Sequence, residues 1–255
     1  MPRAVVVIPA RWASSRFPGK VLAPLLGRPL VLHACEIAAR AERVDDVVVA
    51  TDDGRVAKVV REAGFETVST SPGHPSGTDR VAEAARELPA ELVVGLQADE
   101  PFLLPEDLDV LIETLADPAE PAALATLAGP LDGAEAWRDP NVVKVLVDTA
   151  GHAIYFSRAP IPYPRPASGP LPASPSGPAP AEAKRHVGVY GWRRKSLLAF
   201  TEMDPSALER AEGLEQLRAL EAGWRIAVRE VRGTPFGVDR PEDLERAAAM
   251  RPRRG

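Results

Sequence analysis

Residues 5–20 read VVVIPARWASSRFPGK, and this stretch decides the fold class. Residues 5–8 are all β-branched, which stiffens their side chains at χ1 and favours a strand that is covered on both faces. Pro9 removes a hydrogen-bond donor from the ladder, so we expect the strand to end there. Ligands of open parallel sheets bind in the crevice beyond the carboxyl ends of the strands. The loop that follows Pro9 is therefore predicted to bind a ligand.

This loop carries three cations, Arg11, Arg16 and Lys20. Guanidinium groups bind phosphate oxygens in pairs, an ammonium acts as a point charge, and Ser15 and Gly19 allow backbone N–H groups to approach the same anion. The pattern predicts a triphosphate-binding loop, although it matches neither the GxGxxG nor the GxxxxGK[ST] fingerprint. The alternative is three solvated surface cations, and their crowding at a strand end favours binding.

Composition sets the limits on fold and partners. The chain has 255 residues, enough to bury a full sheet between helical layers in one α/β domain. Its formal net charge of −5 argues against a nucleic-acid partner and leaves a small molecule as the expected one. Cys35 is the only cysteine, which excludes an intrachain disulfide and a cysteine-rich zinc site. No signal peptide and no apolar run of about 18 residues is found, so a cytoplasmic protein without membrane association is expected.

Apolar strand-like runs alternate with helical periods, first as βαβ units and later with more antiparallel connections. The pattern predicts an α/β fold with a mixed, mostly parallel sheet and helices on both faces, in a single domain over residues 1–250 before a basic tail at 251–255. Further strands are expected at residues 47–50, 92–96, 122–127, 142–147, 154–156, 186–192 and 226–231. Helices are expected at residues 29–41, 54–63, 78–88, 105–115, 194–201, 207–222 and 240–249. The proline-rich residues 159–181 are predicted to form a long loop, either inert or a gate.

Residues 93–101 read VVGLQADEP and place Gln97, Asp99 and Glu100 directly after another buried strand. Carboxylates at that edge need a compensating charge, and Mg²⁺ is usually held by one or two carboxylates together with phosphate oxygens. Asp99 is therefore a candidate magnesium ligand. Asp239, far downstream in FGVDRPEDL, is a second candidate, although an Asp two residues before Pro241 also suits the N-cap of a helix.

Residues 71–80 read SPGHPSGTDR, a turn-rich segment that opens a helix. Ser76 and Thr78 offer hydroxyl groups to a base or ribose, with Arg80 one turn inside the helix, and a helix N-terminus suits an anion or a polar ligand. The alternative is that Ser76 or Thr78 simply caps the helix. The sequence favours neither role over the other.

Downstream polar residues are more ambiguous. His186 begins an apolar strand pattern, where a lone histidine is more often a core or edge residue than a catalyst. Arg158 and Arg185 lie near it in sequence, so a site for a carboxylated substrate is the alternative. By residue type alone, Glu215 and Gln216 in GLEQLRAL would lie on a solvated helix face.

Eight motifs occur in one order along the chain and together resemble the 3-deoxy-manno-octulosonate (Kdo) cytidylyltransferase family. They are PARWASSRFPGK, HPSGTDR, QADEP, DPNVVKV, YFSRAPIP, RHVGVYGW, LEQLRAL and GVDRPEDL. The resemblance implies a single-domain nucleotide-diphospho-sugar transferase (Rossmann-like) fold, a homodimer, and the use of CTP and Mg²⁺ to activate Kdo for lipopolysaccharide biosynthesis. The first motif alone would also suit a CMP-sialate synthetase or another enzyme acting on a related keto-sugar acid.

The resemblance also implies roles for individual residues. The residues implied to bind the triphosphate of CTP are Ala10, Arg11, Ser15, Arg16 and Lys20, and those implied to flank its cytidine are Ser76, Gly77, Thr78 and Arg80. Asp99 and Asp239 would hold Mg²⁺, and both would act in catalysis together with Lys20 and Arg16. The implied contacts of the sugar acid are Gln97, Arg158, His186, Glu215 and Gln216.

Two features depart from the family pattern. The family usually has glycine where this chain has Ala98, which would crowd the backbone if that position required a positive φ. Because of this departure, a nucleotide-binding protein that has lost catalysis is an alternative. The loop at residues 159–181 also differs from the family in length and composition.

Overall fold

A computed structural model describes residues 1–13, 17–164, 179–232 and 236–250. The strands are β1 (Ala4–Pro9), β2 (Pro24–Leu25), β3 (Arg28–Pro29), β4 (Asp46–Thr51), β5 (Glu66–Ser69), β6 (Leu92–Gly95), β7 (Leu124–Gly129), β8 (Lys144–Val147), β9 (Ala153–Ser157), β10 (Lys184–Arg193) and β11 (Ile226–Glu230). The α-helices are α1 (Leu30–Ala39), α2 (Gly54–Glu62), α3 (Gly77–Glu87), α4 (Pro105–Ala116), α5 (Gly133–Arg138), α6 (Arg194–Thr201), α7 (Ala207–Glu212), α8 (Gln216–Glu221) and α9 (Pro241–Ala249). A short 3-10 helix covers Lys20–Leu22.

The main sheet has the strand order β11-β7-β10-β6-β1-β4-β5, and β8 joins it by pairing with β10 and with β9. The central strand β1 is parallel to both β4 and β6, with Val6 opposite Val47 on one side and Val94 on the other. The later strand β10 runs antiparallel to β6 and to β7. The prediction of a mixed, mostly parallel sheet is confirmed.

Both faces of β1 are covered, which explains its continuous apolar sequence. Ala4, Val6 and Ile8 pack on one face with residues of α1, α2 and α4, whereas Val5 and Val7 pack on the other with residues of α3, α6 and α8. Burial of each valine side chain contributes about 1.5–3 kcal/mol. The sheet is therefore sandwiched between two helical layers, and only the strand ends are left to bind a ligand.

Three details differ from the sequence predictions. The helix expected at residues 207–222 is two helices, because Gly213 adopts a left-handed conformation with φ of +62° and closes α7 before α8 begins. The strand β5 was not predicted, since its sequence ETVS lies at the sheet edge and lacks an apolar run. The β2–β3 hairpin and α5 were also not predicted.

Two predicted segments fall largely outside this description. Of the loop at residues 159–181, the structure describes 159–164 and 179–181, which contain no helix or strand, and the tail at 251–255 lies outside the described residues. Within the part of the chain that the structure describes, no helix has the length and apolar character needed to cross a membrane.

Candidate active site

A cleft of about 220 Å³ opens beyond the carboxyl ends of β1 and β6. This is the edge at which parallel α/β sheets bind ligands. The predicted site residues that line it are Arg11, Lys20, Ser76, Gly77, Arg80, Gln97, Asp99 and Asp239. The structure therefore brings the basic loop, the SGTDR segment, the acidic motif and the distant Asp239 to one place.

Lys20 connects the two candidate metal ligands. Its Nζ atom lies 2.5 Å from Oδ2 of Asp99 and 3.4 Å from Oδ1 of Asp239. The segment that carries Asp239 is held against the acidic motif by the backbone, because the N–H of Val238 donates to the carbonyl of Asp99 over 2.9 Å. The two carboxylates therefore share one ammonium group.

The alternative role of Asp239 as a helix cap does not hold. Arg240 is the N-cap of α9, and the N–H groups of Asp239 and Arg240 both donate to Oδ2 of Asp243, each over 3.0 Å. The side chain of Asp239 instead interacts with Lys20 in the cleft.

The donor chemistry of this cluster suits Mg²⁺, a hard cation that prefers oxygen ligands. Asp99 and Asp239 supply two carboxylates, and among the residues described no group of three or more His, Cys, Asp or Glu side chains is placed to hold a metal. The remaining ligands would therefore be phosphate oxygens and water, which is the usual arrangement for Mg²⁺ with a nucleotide. The neighbouring Glu100 is half-buried, and its Oε2 atom is shielded from solvent and has no hydrogen-bond partner among the described residues. Burial and the charge of Asp99 raise the pKa of Glu100 to about 8.

The basic loop is described in part. Arg11 is exposed and lines the cleft beside Lys20, and Ala10 is buried, with its N–H bonded to the carbonyl of Ala50. Ser15 and Arg16 lie outside the described residues, so their implied contacts with triphosphate stay predictions.

Gly19 sets the direction in which Lys20 leaves the loop. Its φ is +72°, a left-handed conformation that glycine adopts without strain. A Cβ atom at this position would lie 2.9 Å from Cη2 of Trp12. Trp12 is in turn fixed by the guanidinium of Arg55, which stacks 3.5 Å from the ring centroid.

The SGTDR segment takes the capping role that the sequence left open, and its position in the cleft leaves the binding role as a prediction. Ser76 is the N-cap of α3 and accepts a hydrogen bond from the N–H of Asp79, and it also lines the cleft. Arg80 is buried, with Nη1 2.5 Å from the hydroxyl of Thr70 and 3.3 Å from Oδ1 of Asp52. A Cβ at Gly77 would lie 3.4 Å from the amide of Gln97, so the start of α3 and the acidic motif are in close contact.

Gln216 is buried and Glu215 is half-buried, so the expectation of a solvated helix face was wrong. The hydroxyl of Thr78 donates to Oε1 of Glu215 over 2.5 Å, and burial raises the pKa of this carboxyl despite that bond. Gln216 is 3% exposed, and its Nε2 has no hydrogen-bond partner among the described residues. The break at Gly213 turns α8 inward, which sequence periodicity did not reveal.

His186 lies at the same edge of the sheet. Strand β10 runs antiparallel to β6 with Tyr190 opposite Gly95, so His186 is placed beyond the carboxyl end of β6. Its ring packs against Phe156 and Tyr190 at centroid distances of 4.9 and 5.6 Å, and Nε2 lies 3.0 Å from the hydroxyl of Thr126. Burial lowers the pKa of His186 to about 3, which keeps the imidazole neutral near pH 7.

Comparison with known proteins agrees with this geometry. A model of the cytidylyltransferase family matches residues 5–226. The 3-deoxy-manno-octulosonate cytidylyltransferase of Geobacter sulfurreducens is 46% identical over 94% of this chain and 96% of its own length. The protein of the same name from Anaeromyxobacter sp. strain K is 48% identical over 98% of both chains. The chain belongs to the 3-deoxy-manno-octulosonate cytidylyltransferase family.

Solved structures support the same family. A CMP:2-keto-3-deoxy-manno-octonic acid synthetase solved in complex with CTP is 42% identical, with a TM-score of 0.87 over 97% of both chains. A glucose-1-phosphate thymidylyltransferase candidate from Bacillus anthracis is 17% identical, with a TM-score of 0.65 over 96% of this chain and 94% of its own, and this likeness shows the fold alone.

Arg158 is the predicted site residue whose contacts are mainly with the backbone. Its guanidinium donates to the carbonyls of Glu212, Pro140 and Gly213 over 2.7, 2.9 and 3.4 Å. These bonds hold the α7–α8 turn, from which Glu215 and Gln216 extend. In this family member, a contact between Arg158 and a sugar acid stays a prediction.

Ala98, the departure from the family pattern, is accommodated without backbone strain. Among non-glycine residues in the described part of the chain, only Leu26 has a positive φ. Ala98 is 4% exposed and packs with the core on one face of the sheet. The methyl group is therefore tolerated, and it gives no reason to expect lost catalysis.

Sequence reasoning overlooked one residue of the cleft, His74. It stands two residues before Ser76 in the HPSGTDR motif. The sequence nevertheless contained a signal for it, because a histidine flanked by prolines in a predicted binding loop is a candidate ligand contact.

Proposed function

We infer that this chain is a cytidylyltransferase that transfers the CMP group of CTP to Kdo and releases pyrophosphate, for lipopolysaccharide biosynthesis. The observation that carries this inference is the cluster of Lys20, Asp99 and Asp239 in one cleft, in a chain of this family. Each part of the cluster matches one requirement of transfer from a nucleoside triphosphate: a cation for phosphate charge and carboxylates for a metal.

The reaction we propose is a single in-line displacement. The anomeric hydroxyl oxygen of Kdo attacks the α-phosphorus of CTP and releases its proton to water, the bond from that phosphorus to the bridging oxygen breaks, and pyrophosphate leaves with the electron pair. Positioning and electrostatic stabilisation dominate such transfers, so no histidine is needed as a general base. Lys20 and Arg11 would neutralise charge on the leaving pyrophosphate, and we assign the same role to Arg16 from its place in the loop.

Asp99 and Asp239 are the residues that would hold Mg²⁺. When bound, this ion would lower the pKa of the attacking hydroxyl and offset the phosphate charge. Lys20 would then have to divide its contacts between its present carboxylate partners and the nucleotide. We therefore propose that Lys20 contacts the carboxylates in the free protein and the triphosphate in the complex.

The residues proposed to contact the sugar acid are Gln97, Arg158, His186, Glu215 and Gln216. What supports the assignment is that His186, Glu215 and Gln216 are polar groups enclosed at the same edge of the sheet. A neutral imidazole and an unpartnered amide offer hydrogen bonds to sugar hydroxyls without introducing charge. We further propose a cytoplasmic homodimer, on the basis of the family resemblance.

The test is to mix the purified protein with CTP, Kdo and Mg²⁺ and to detect CMP-Kdo by mass spectrometry. Pyrophosphate release should be measured in parallel with the other three nucleoside triphosphates and with sialic acid in place of Kdo. Product from CTP and Kdo alone would support the proposal, whereas a preference for sialic acid would reassign the sugar substrate. CTP binding without pyrophosphate release would show a nucleotide-binding protein that lacks this activity.

A further inference from the structure

Residues 71–76 contribute His74 and Ser76 to the lining of the cleft, and their shape is fixed by the helix that follows them. Ser76 caps α3 at one end of the segment, while Arg80 holds Thr70 just before the other end. Between these points, the carboxylate of Glu83 accepts hydrogen bonds from the N–H of Ser71 over 2.9 Å and from the ring of His74. The loop is thus tied to α3 through side chains of that helix itself.

Of the pair His74 and Glu83, His74 is the residue that faces the cleft. His74 lines the cleft with Ser76, Gly77 and Arg80, and its side chain is 19% exposed. The bonds from His74 and from the Ser71 N–H lower the pKa of Glu83, so the carboxylate is ionised near pH 7. The ionised carboxylate accepts a hydrogen bond from Nε2 of His74, which fixes the ring and leaves Nδ1 to contact a ligand.

We propose that His74 contacts the nucleoside of bound CTP and that Glu83 is the positioning residue that fixes its ring. The inference rests on the proposed function, because it takes the cleft to be the CTP site. The cations Arg11 and Lys20 match the triphosphate, whereas the carboxylate of Glu83 beside the His74 ring disfavours a polyanion there. The nucleoside offers both hydrogen-bond donors and acceptors to Nδ1, in its ribose hydroxyls and in the polar edge of cytosine.

The experiment measures Kd for CTP and for inorganic tripolyphosphate, together with kcat and KM for CTP, in His74→Ala, Glu83→Ala and Glu83→Gln. Loss of one hydrogen bond should weaken CTP binding about fivefold in His74→Ala and Glu83→Ala, with kcat within about twofold of the wild type. Tripolyphosphate binding should stay unchanged. Glu83→Gln should recover most of the CTP affinity, since its amide oxygen still accepts both bonds. Glu87→Ala is the control, because Glu87 is an exposed carboxylate of the same helix.

Two results would overturn the proposal. Unchanged CTP affinity in both alanine variants would show that His74 makes no contact with the nucleoside. Equal weakening for CTP and tripolyphosphate would show a general disturbance of the cleft instead. Melting temperatures of all variants separate these effects from misfolding, and Glu83→Gln keeps the test valid if Glu83→Ala is unstable. Wild-type activity with CTP and Kdo is measured first, so a failure of the proposed function is recognised separately.

Discussion

The Nζ atom of Lys20 lies 2.5 Å from Oδ2 of Asp99, although 79 positions separate the two residues in the chain. The pair joins the loop after β1 to the loop after β6, and these two strands are neighbours in the sheet. Both side chains are largely shielded, with exposed fractions of 12% and 28%. A partly buried charge pair that lines a cleft is a candidate functional feature.

Replacement of Lys20 by alanine should lower kcat about 100-fold while the fold remains intact. The reason is that an ammonium aimed at developing phosphate charge stabilises the transition state more than the ground state. Pyrophosphate release at saturating CTP measures the effect, and circular dichroism checks the fold. Lys58→Ala is the matched control, since Lys58 is exposed and its ion pair with Glu62 lies on the surface of α2. Wild-type turnover in Lys20→Ala would refute the role.

Asp99→Asn should lose activity and the response to Mg²⁺ together. The amide keeps the shape of the side chain but removes the negative charge that a hard cation requires. The measurement is the initial rate as a function of Mg²⁺ concentration, with Asp204→Asn as a control because Asp204 is exposed in a loop. A variant that remains active with a normal Mg²⁺ dependence would remove Asp99 from the metal site.

Glu120→Gln should destabilise the protein near pH 7 by about 1–3 kcal/mol. Burial by itself would raise the pKa of Glu120, but the hydrogen bonds from His152 over 2.8 Å and from Arg229 over 2.9 Å outweigh it, and the pKa lies below its ordinary value. A carboxylate whose pKa is lower in the folded protein than in the unfolded chain stabilises the fold at pH values above its unfolded pKa. This contribution is lost as the pH falls through the folded pKa.

Urea denaturation at neutral pH and at about pH 4 tests this expectation. The difference in unfolding free energy between wild type and Glu120→Gln should shrink at the lower pH, because the wild-type carboxylate begins to take up a proton. An equal difference at both pH values would contradict it. Turnover should be unaffected near pH 7, since Glu120 is not among the residues that line the cleft.

The thiol of Cys35 should resist modification in the native protein. Cys35 is fully buried in α1, and burial raises its pKa to about 12. The reactive thiolate is therefore scarce at about pH 8, and access is blocked as well. Ellman's reagent should label one thiol per chain in guanidinium chloride and react slowly without it. Rapid labelling of the native protein would show that α1 opens readily.

Local sequence rules gave correct predictions where the environment of a residue follows directly from its position along a strand. β1 was predictable because its alternate residues face two different helical layers, which requires an apolar residue at every position. The position of Asp99 in the cleft was predictable because it lies in the loop that follows a buried strand. The turn chemistry of SGTDR gave the start of α3 to within one residue.

The failures arise from tertiary contacts that no local pattern encodes. Glu215 and Gln216 read as solvated helix residues, yet the left-handed Gly213 redirects the chain, so that Gln216 is buried and Glu215 bonds to Thr78. Asp99 and Asp239 are brought together by a backbone bond from Val238 and by Lys20, which sequence spacing cannot predict. The resemblance to the family predicted that these residues lie near one another, because related chains share such contacts.

The bond from Val238 to Asp99 also sets the order in which the cleft is assembled as the chain is synthesised. Every strand of the main sheet, together with Lys20 and Asp99, precedes Val238 in the chain. Asp239 is the last of the three charged residues to be made. A message that ends just before its codon would therefore encode all of these strands but only one of the two carboxylates that contact Lys20.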